Sequence, residues 1–280
     1  MSKVSLSDDL EGFRLYLIME EKSRVTVEKY LRDASAFFRW LGEGVLDKAA
    51  VLGYKAYLLE KYATASVNAA LSSINSFFGY IGRLDLRVKT VRSQRKIFLC
   101  DDKELTKREY ESLLKAAKAK GNRRLYLLMQ TICSTGIRVS ELQYITVSTV
   151  NTGRAIISCK GKERCILLPE RLCKRLRRYA EEQGIARGAV FVSSRGNPLD
   201  RSNIWSEMKK LCKETGISEK KVFPHNLRHL FARTYYTVER DIVRLADILG
   251  HSSVNTTRIY TMETGEVHQR QLEGLGLLRC

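Results

Sequence analysis

At 280 residues, 44% of them hydrophobic and 29% charged, the chain can fold as two domains with real cores and requires no disulfide or metal staple. A formal net charge of +18 and a pI near 9.7 point to a polyanionic partner, nucleic acid first, because Lys and Arg that neutralise phosphates release counterions. No apolar run reaches the ~20 residues of a membrane span, and the polar start lacks a signal-peptide pattern. Seven cysteines, an odd number without Cys-x-x-Cys spacing, argue against a disulfide framework, a zinc site or a redox motif and suit reduced thiols in a cytoplasmic protein.

In chain order, apolar residues recur at helical spacing over Asp8–Met19, Ser23–Gly42 (Val27, Tyr30, Leu31, Ala34, Phe37, Phe38, Leu41), Val51–Tyr62 and Ala65–Ile81 (Val67, Ala70, Leu71, Ile74, Phe77, Phe78). The reading is a four-helix domain over residues 1–82, its aromatic stripes serving as core because they follow the helix period. This segment is neutral, with 10 basic and 10 acidic residues. Residues 83–102 break the periodicity and carry six basic and three acidic residues, which suits a basic interdomain linker lying along DNA or simply solvated. Arg92, Arg95 and Lys96 are its candidate DNA contacts. Residues 103–280 hold 33 basic residues against 18 acidic ones, so most of the excess charge sits in a second domain.

That domain opens on a capping box, Thr106-Lys107-Arg108-Glu109. An apolar helix over Arg124–Cys133 is expected to end at Gly136, placing Arg138 at the start of the next helix. Short β-prone runs, Arg154–Ser158 and Cys165–Leu168, flank Cys159-Lys160-Gly161-Lys162-Glu163-Arg164, a hairpin with a basic tip. Lys162 and Arg164 there can reach a phosphate or a base edge, or can merely be solvated. Helices follow over Glu170–Gln183 and Arg201–Thr215. Pro224 opens a helix on which His225 and Arg228, three residues apart, share a face. Asp241–Leu249 is amphipathic and capped by Gly250, which puts His251 in a tight turn, and Ser252 or Ser253 caps a short helix leading to Tyr260. The tail beyond, Glu263–Leu278, carries Val267, Leu272, Leu275, Leu277 and Leu278.

The stretch Pro224–Tyr260 therefore collects groups able to attack a phosphodiester: guanidinium to hold charge on phosphate oxygens, imidazole to donate or move protons, and a phenol able to act as covalent nucleophile. Each element alone is weak. Together, Arg138 in Gly-Ile-Arg-Val-Ser-Glu-Leu, Lys160 in the hairpin, His225-x-x-Arg228, Leu-Gly-His251 and Tyr260 nine residues later resemble the tyrosine recombinase, or lambda-type integrase, family in order and spacing over nearly the whole chain. The resemblance implies a mainly α fold with a small β-hairpin in the catalytic domain and a two-domain, C-shaped clamp around DNA, the first domain being the family's SAM-like core-binding domain.

It also implies roles. Tyr260 would form a 3′-phosphotyrosyl link, Arg138 and Arg228 would clamp the non-bridging oxygens with His251, Lys160 would protonate the leaving 5′-oxygen, His225 would assist proton transfer, and Glu141 would orient Arg138. The family hairpin usually reads Gly-Lys-Gly-x-Lys, one residue longer than here. Lys160 is assigned because it precedes the glycine, with Lys162 in reserve. Neither a metal nor another cofactor is implied. The implied partners are double-stranded recombination sites and three further copies, a dimer per site and a tetramer through a Holliday junction, with room for an accessory bending or directionality factor, and no membrane. The apolar tail is a candidate for docking between protomers.

A type IB topoisomerase has a similar cluster but lacks such a compact N-terminal helical domain and post-tyrosine tail. A DNA-binding relative that had lost chemistry would not need the full residue set, and a metal-dependent nuclease would need clustered carboxylates. With no arm-binding domain before the helices, the expected type is a simple Xer-like recombinase at the nucleoid, with integration or excision, inversion and dimer resolution all open.

Overall fold

The computed structural model describes residues 6–92, 103–159, 162–193, 195–261, 269–270 and 272–275, with backbone alone for residues 6–8, 159 and 162. Two compact units divide between Arg95 and Lys96. The described residues are mainly helical, with one two-stranded sheet. Among them no helix is long and apolar enough to cross a membrane.

The first unit consists of α1 (Leu6–Met19), α2 (Arg24–Leu41), α3 (Lys48–Lys61) and α4 (Thr64–Tyr80). Ser23 and Asp47 start α2 and α3 by accepting from the backbone amides of Thr26 and Ala50. The aromatic stripes meet inside: Phe13 lies edge-on to Phe77 at 5.2 Å and Phe37 edge-on to Phe78 at 5.8 Å. Such pairs add about 0.5–1.5 kcal/mol to the burial of each ring.

The linker expected from Arg83 begins later. Leu86 and Val88 are buried in the first unit's core. The Asn75 amide donates to the Val88 carbonyl at 2.8 Å and accepts from its N–H at 3.0 Å, and Asn68 does the same for Val91 at 2.9 and 2.8 Å. These side chains stand in for a neighbouring strand, so residues 84–91 belong to the first unit. Arg92 is exposed where the described segment ends. Arg95 and Lys96 lie outside the described residues.

The second unit contains α5 (Lys107–Ala119), α6 (Arg123–Thr135), a 3-10 turn (Val139–Tyr144), α7 (Val147–Thr152), β1 (Arg154–Cys159), β2 (Lys162–Leu167), α8 (Glu170–Glu182), α9 (Arg201–Thr215), α10 (Pro224–Glu239), α11 (Ile242–Leu249), α12 (Val254–Thr257) and a 3-10 turn (Arg258–Tyr260). The capping box at Thr106 and Glu109 forms as expected. The antiparallel register runs from Arg154 opposite Leu167 to Cys159 opposite Lys162. Pairing thus extends beyond the two β-prone runs, which makes Arg164 a strand residue rather than part of a hairpin tip. Residues 160–161 lie outside the described residues.

Candidate active site

Where α6 ends, Gly136 adopts φ +66°, which L side chains rarely take, and donates to the Ile132 carbonyl. The chain turns there into the 3-10 turn that carries Arg138 and Glu141. Glu141 is buried; its carboxylate accepts from the Arg138 backbone amide at 2.7 Å and from its guanidinium at 2.9 Å. Both the backbone and the guanidinium of Arg138 are thus tied to one buried carboxylate.

Pro224 occupies the first turn of α10, where a missing N–H costs nothing, and one turn on Arg228 enters the interior, 1% exposed. Its guanidinium donates to the carbonyls of Gly136 at 2.6 Å and Leu249 at 2.7 Å, and meets His251 Nε2 at 3.1 Å. One cation thus ties the ends of α6 and α11 to α10. Burial, with Arg138 and Arg164 close by, pulls it from 12.5 to about 10, still protonated at neutral pH. Carbonyl dipoles hold both terminal nitrogens of this buried charge, while its Nε is buried without a hydrogen-bond partner, so the cation is fixed in the site before an anion arrives.

Gly250 caps α11 at φ +63°, and a Cβ there would stand 2.6 Å from Arg164 Cδ. The next residue, His251, accepts from Arg228 at Nε2, since a guanidinium has only donors. The proton is thereby assigned to Nδ1, which faces Thr257 Oγ1 at 2.9 Å. Tyr260 is 4% exposed, its ring nearly parallel to His251 at 6.3 Å. Burial raises the phenol above its usual 10, and Arg228 opposes that rise. Arg138, His225 and Arg228 line a cavity of about 620 Å³ that also includes Arg201, Trp205 and Phe223.

Arg138, His225, Arg228, His251 and Tyr260 are thus brought together in one unit. Lys160 lies outside the described residues, and Lys162 is placed by its backbone alone. Arg164 corrects an expectation: its side chain is 13% exposed, paired with Glu141 and donating to the Ile248 carbonyl at 3.0 Å, so it braces the site instead of reaching for DNA. Also unforeseen was His229, whose ring lies 4.4 Å from that of His225 and 5.1 Å from that of Tyr260. Its place one residue after Arg228 on a helix was the available signal. Among the described residues no group of three or more His, Cys, Asp or Glu gathers to hold a metal.

Partial burial, and then the charges of the surrounding bases, hold His225 and His251 down to about 4 from an ordinary 6.5. Between those values the unfolded chain binds more protons than the folded one, so this contribution to stability is intact above pH 6.5 and lost as pH falls toward 4. Thermal melts from pH 7.5 to 4 should show the loss. His251→Asn should flatten the profile in that window; an unchanged slope would contradict the assignment.

A model described as the phage integrase family matches residues 103–266, more than half of the chain, and the model of the phage integrase N-terminal SAM-like domain matches residues 10–83. The chain belongs to the phage integrase family. Its similarity to the tyrosine recombinase XerA of Pyrococcus furiosus is 31% identity, over 99% of this chain and 96% of that protein. To the tyrosine recombinase XerD of Listeria monocytogenes serotype 4b it is 28%, over 92% and 95%. Among solved structures, a XerA recombinase matches at 26% identity and TM-score 0.52, covering 99% of this chain and all of that one. A lambda integrase tetramer bound to a Holliday junction matches at 21% and TM-score 0.73, covering 92% and 77%, and shares the phage integrase fold.

Proposed function

We propose that this tyrosine recombinase cuts and rejoins DNA at specific sites by using Tyr260 as a covalent nucleophile. The observation that carries this reading is the buried Arg228, which joins the turn before Arg138, His251 and Tyr260 into one cationic site. Tyr260 Oη attacks the phosphorus, a P–O bond forms to the phenol, and the bond to the 5′-oxygen breaks. Arg138 and Arg228 hold the non-bridging oxygens, and once phosphate draws the guanidinium away, His251 shifts to the tautomer protonated on Nε2 and donates to them, its Nδ1 then accepting from the Thr257 hydroxyl. His225, neutral at pH 7 in the free protein, takes the phenol proton, and Lys160 supplies one to the leaving oxygen. The 3′-phosphotyrosyl link keeps the bond energy, so the 5′-hydroxyl can rejoin without ATP.

The reading extends to a pair of dimers that exchange strands through a Holliday junction, in the manner of Xer-type proteins, within the cytoplasm. The XerA and XerD relatives, similar along nearly their whole length, support it. The test uses a nicked duplex whose cleavage sheds a short fragment, incubated in EDTA and run on a denaturing gel. A covalent adduct that a 5′-hydroxyl strand then resolves supports the proposal; cleavage to free ends without an adduct would overturn it. Lys160→Ala and Lys162→Ala, run separately, identify the proton donor, expected to be Lys160.

A further inference from the structure

On one face of α10, Asn226, His229 and Arg233 receive the chain where it enters the second unit. Asn226 donates to the Lys103 carbonyl at 2.7 Å and Arg233 to the Leu105 carbonyl at 3.0 Å. Between those anchors Glu104 forms an ion pair with Arg233, and its carboxylate lies 3.8 Å from His229 Nδ1. Both Glu104 and His229 side chains are less than a fifth exposed. Burial would raise the Glu104 carboxyl, but His229 and Arg233 outweigh it and hold it low, so it is a carboxylate here.

A carboxylate facing Nδ1 favours a proton on that nitrogen and so fixes the orientation of the ring. Nε2 is buried without a hydrogen-bond partner. The same ring stands nearly perpendicular to Tyr260, with an interplanar angle of 86°, and touches His225. Tyr260 itself sits in a three-residue 3-10 turn after a four-residue helix, too short to fix a phenol without packed neighbours. His251 and His229 are its two imidazole neighbours, beside the apolar packing of Ala232, Leu245 and Leu249.

We propose that Glu104 and His229 form a positioning pair, in which the carboxylate fixes the imidazole and the imidazole fixes Tyr260 and His225 in the orientation needed for cleavage. The proposal rests on Tyr260 being the nucleophile. Neither residue contacts phosphate; both act through the groups that do. Because Glu104 is anchored within the segment that enters the unit, displacement of that segment would reach the nucleophile through two side chains.

The test measures single-turnover cleavage of the nicked duplex at saturating protein, together with DNA affinity, for Glu104→Gln, His229→Phe and the double variant. His229→Phe keeps a ring against Tyr260 and removes the nitrogens. Misplacing a reacting group by about 1 Å can cost on the order of 100-fold, so cleavage should slow about 10- to 100-fold in His229→Phe and about tenfold in Glu104→Gln, with affinity unchanged. If the carboxylate acts through the imidazole, the double variant is no slower than His229→Phe. A Glu104→Gln rate within twofold of wild type, or slowing that multiplies in the double variant, would overturn the pair. A wild-type protein that forms no adduct would instead remove the nucleophile reading on which the pair depends.

Discussion

Replacing Arg228 by lysine is expected to lower single-turnover cleavage by about 1000-fold, because one fixed donor at an oxyanion site is worth roughly 100- to 1000-fold and a compact ammonium cannot reproduce the fork. In the native chain the two ends of the guanidinium reach carbonyls on different elements, Gly136 at 2.6 Å and Leu249 at 2.7 Å. An ammonium can approach one of them while leaving the other buried and unmet. Arg228→Ala leaves both unmet and opens a cavity, which should destabilise the protein by about 3–5 kcal/mol. At about 2–4 °C per kcal/mol for a unit of this size, that is a fall of roughly 10 °C in melting temperature. Thermal melts and cleavage rates of both variants check the two halves separately. A lysine variant that cleaves within tenfold of wild type would show that charge alone, without the fork, suffices.

Gly136→Ala is expected to cost about 2–4 kcal/mol, the sum of backbone strain at positive φ and overpacking. A Cβ at Gly136 would lie 2.4 and 2.5 Å from two Phe231 ring atoms and 3.1 Å from Leu249 Cδ2, inside a packed seam. Gly153 serves as the control. It has a similar φ of +71°, but its Cβ would meet only the Leu168 carbonyl oxygen, at 3.9 Å. Gly153→Ala should therefore show the strain without the collision, about 1 kcal/mol. Chemical denaturation of the pair reads the difference. Because the displaced backbone also bears the carbonyl that holds Arg228, cleavage by Gly136→Ala should fall further than its stability loss predicts. Equal costs at both glycines would contradict the packing described for the α6 end.

The helices of both units were legible because their apolar residues repeat at the helix period, and the phenylalanines of α2 and α4 meet as that period implies. The chemistry of the site was legible as an ordered set of residue types, from Arg138 to Tyr260. What holds those residues was not. Asn68 and Asn75 pin backbone 23 and 13 residues away, an interaction with no periodicity to reveal it, so residues 84–91 read as linker. Arg164 read as a candidate DNA contact at a hairpin tip because the length of β-pairing, which turns its side chain inward, depends on a partner strand and on Glu141 from a distant turn. His229 and Glu104, 125 positions apart in sequence, become a pair only once α10 lies against the entering chain. Lys160, on which the proton-donor assignment rests, falls outside the described residues.

The most direct measurement locates the DNA on the protein. Wild-type adduct formed in EDTA on the nicked duplex would be digested with protease and nuclease, and the nucleotide-bearing peptide sequenced by mass spectrometry, with Tyr260→Phe as the parallel reaction. The account predicts a single modified residue, Tyr260, carrying a 3′-linked nucleotide, and no adduct from the variant despite undiminished DNA binding. A nucleotide on any other residue, or an adduct that survives Tyr260→Phe, would contradict it.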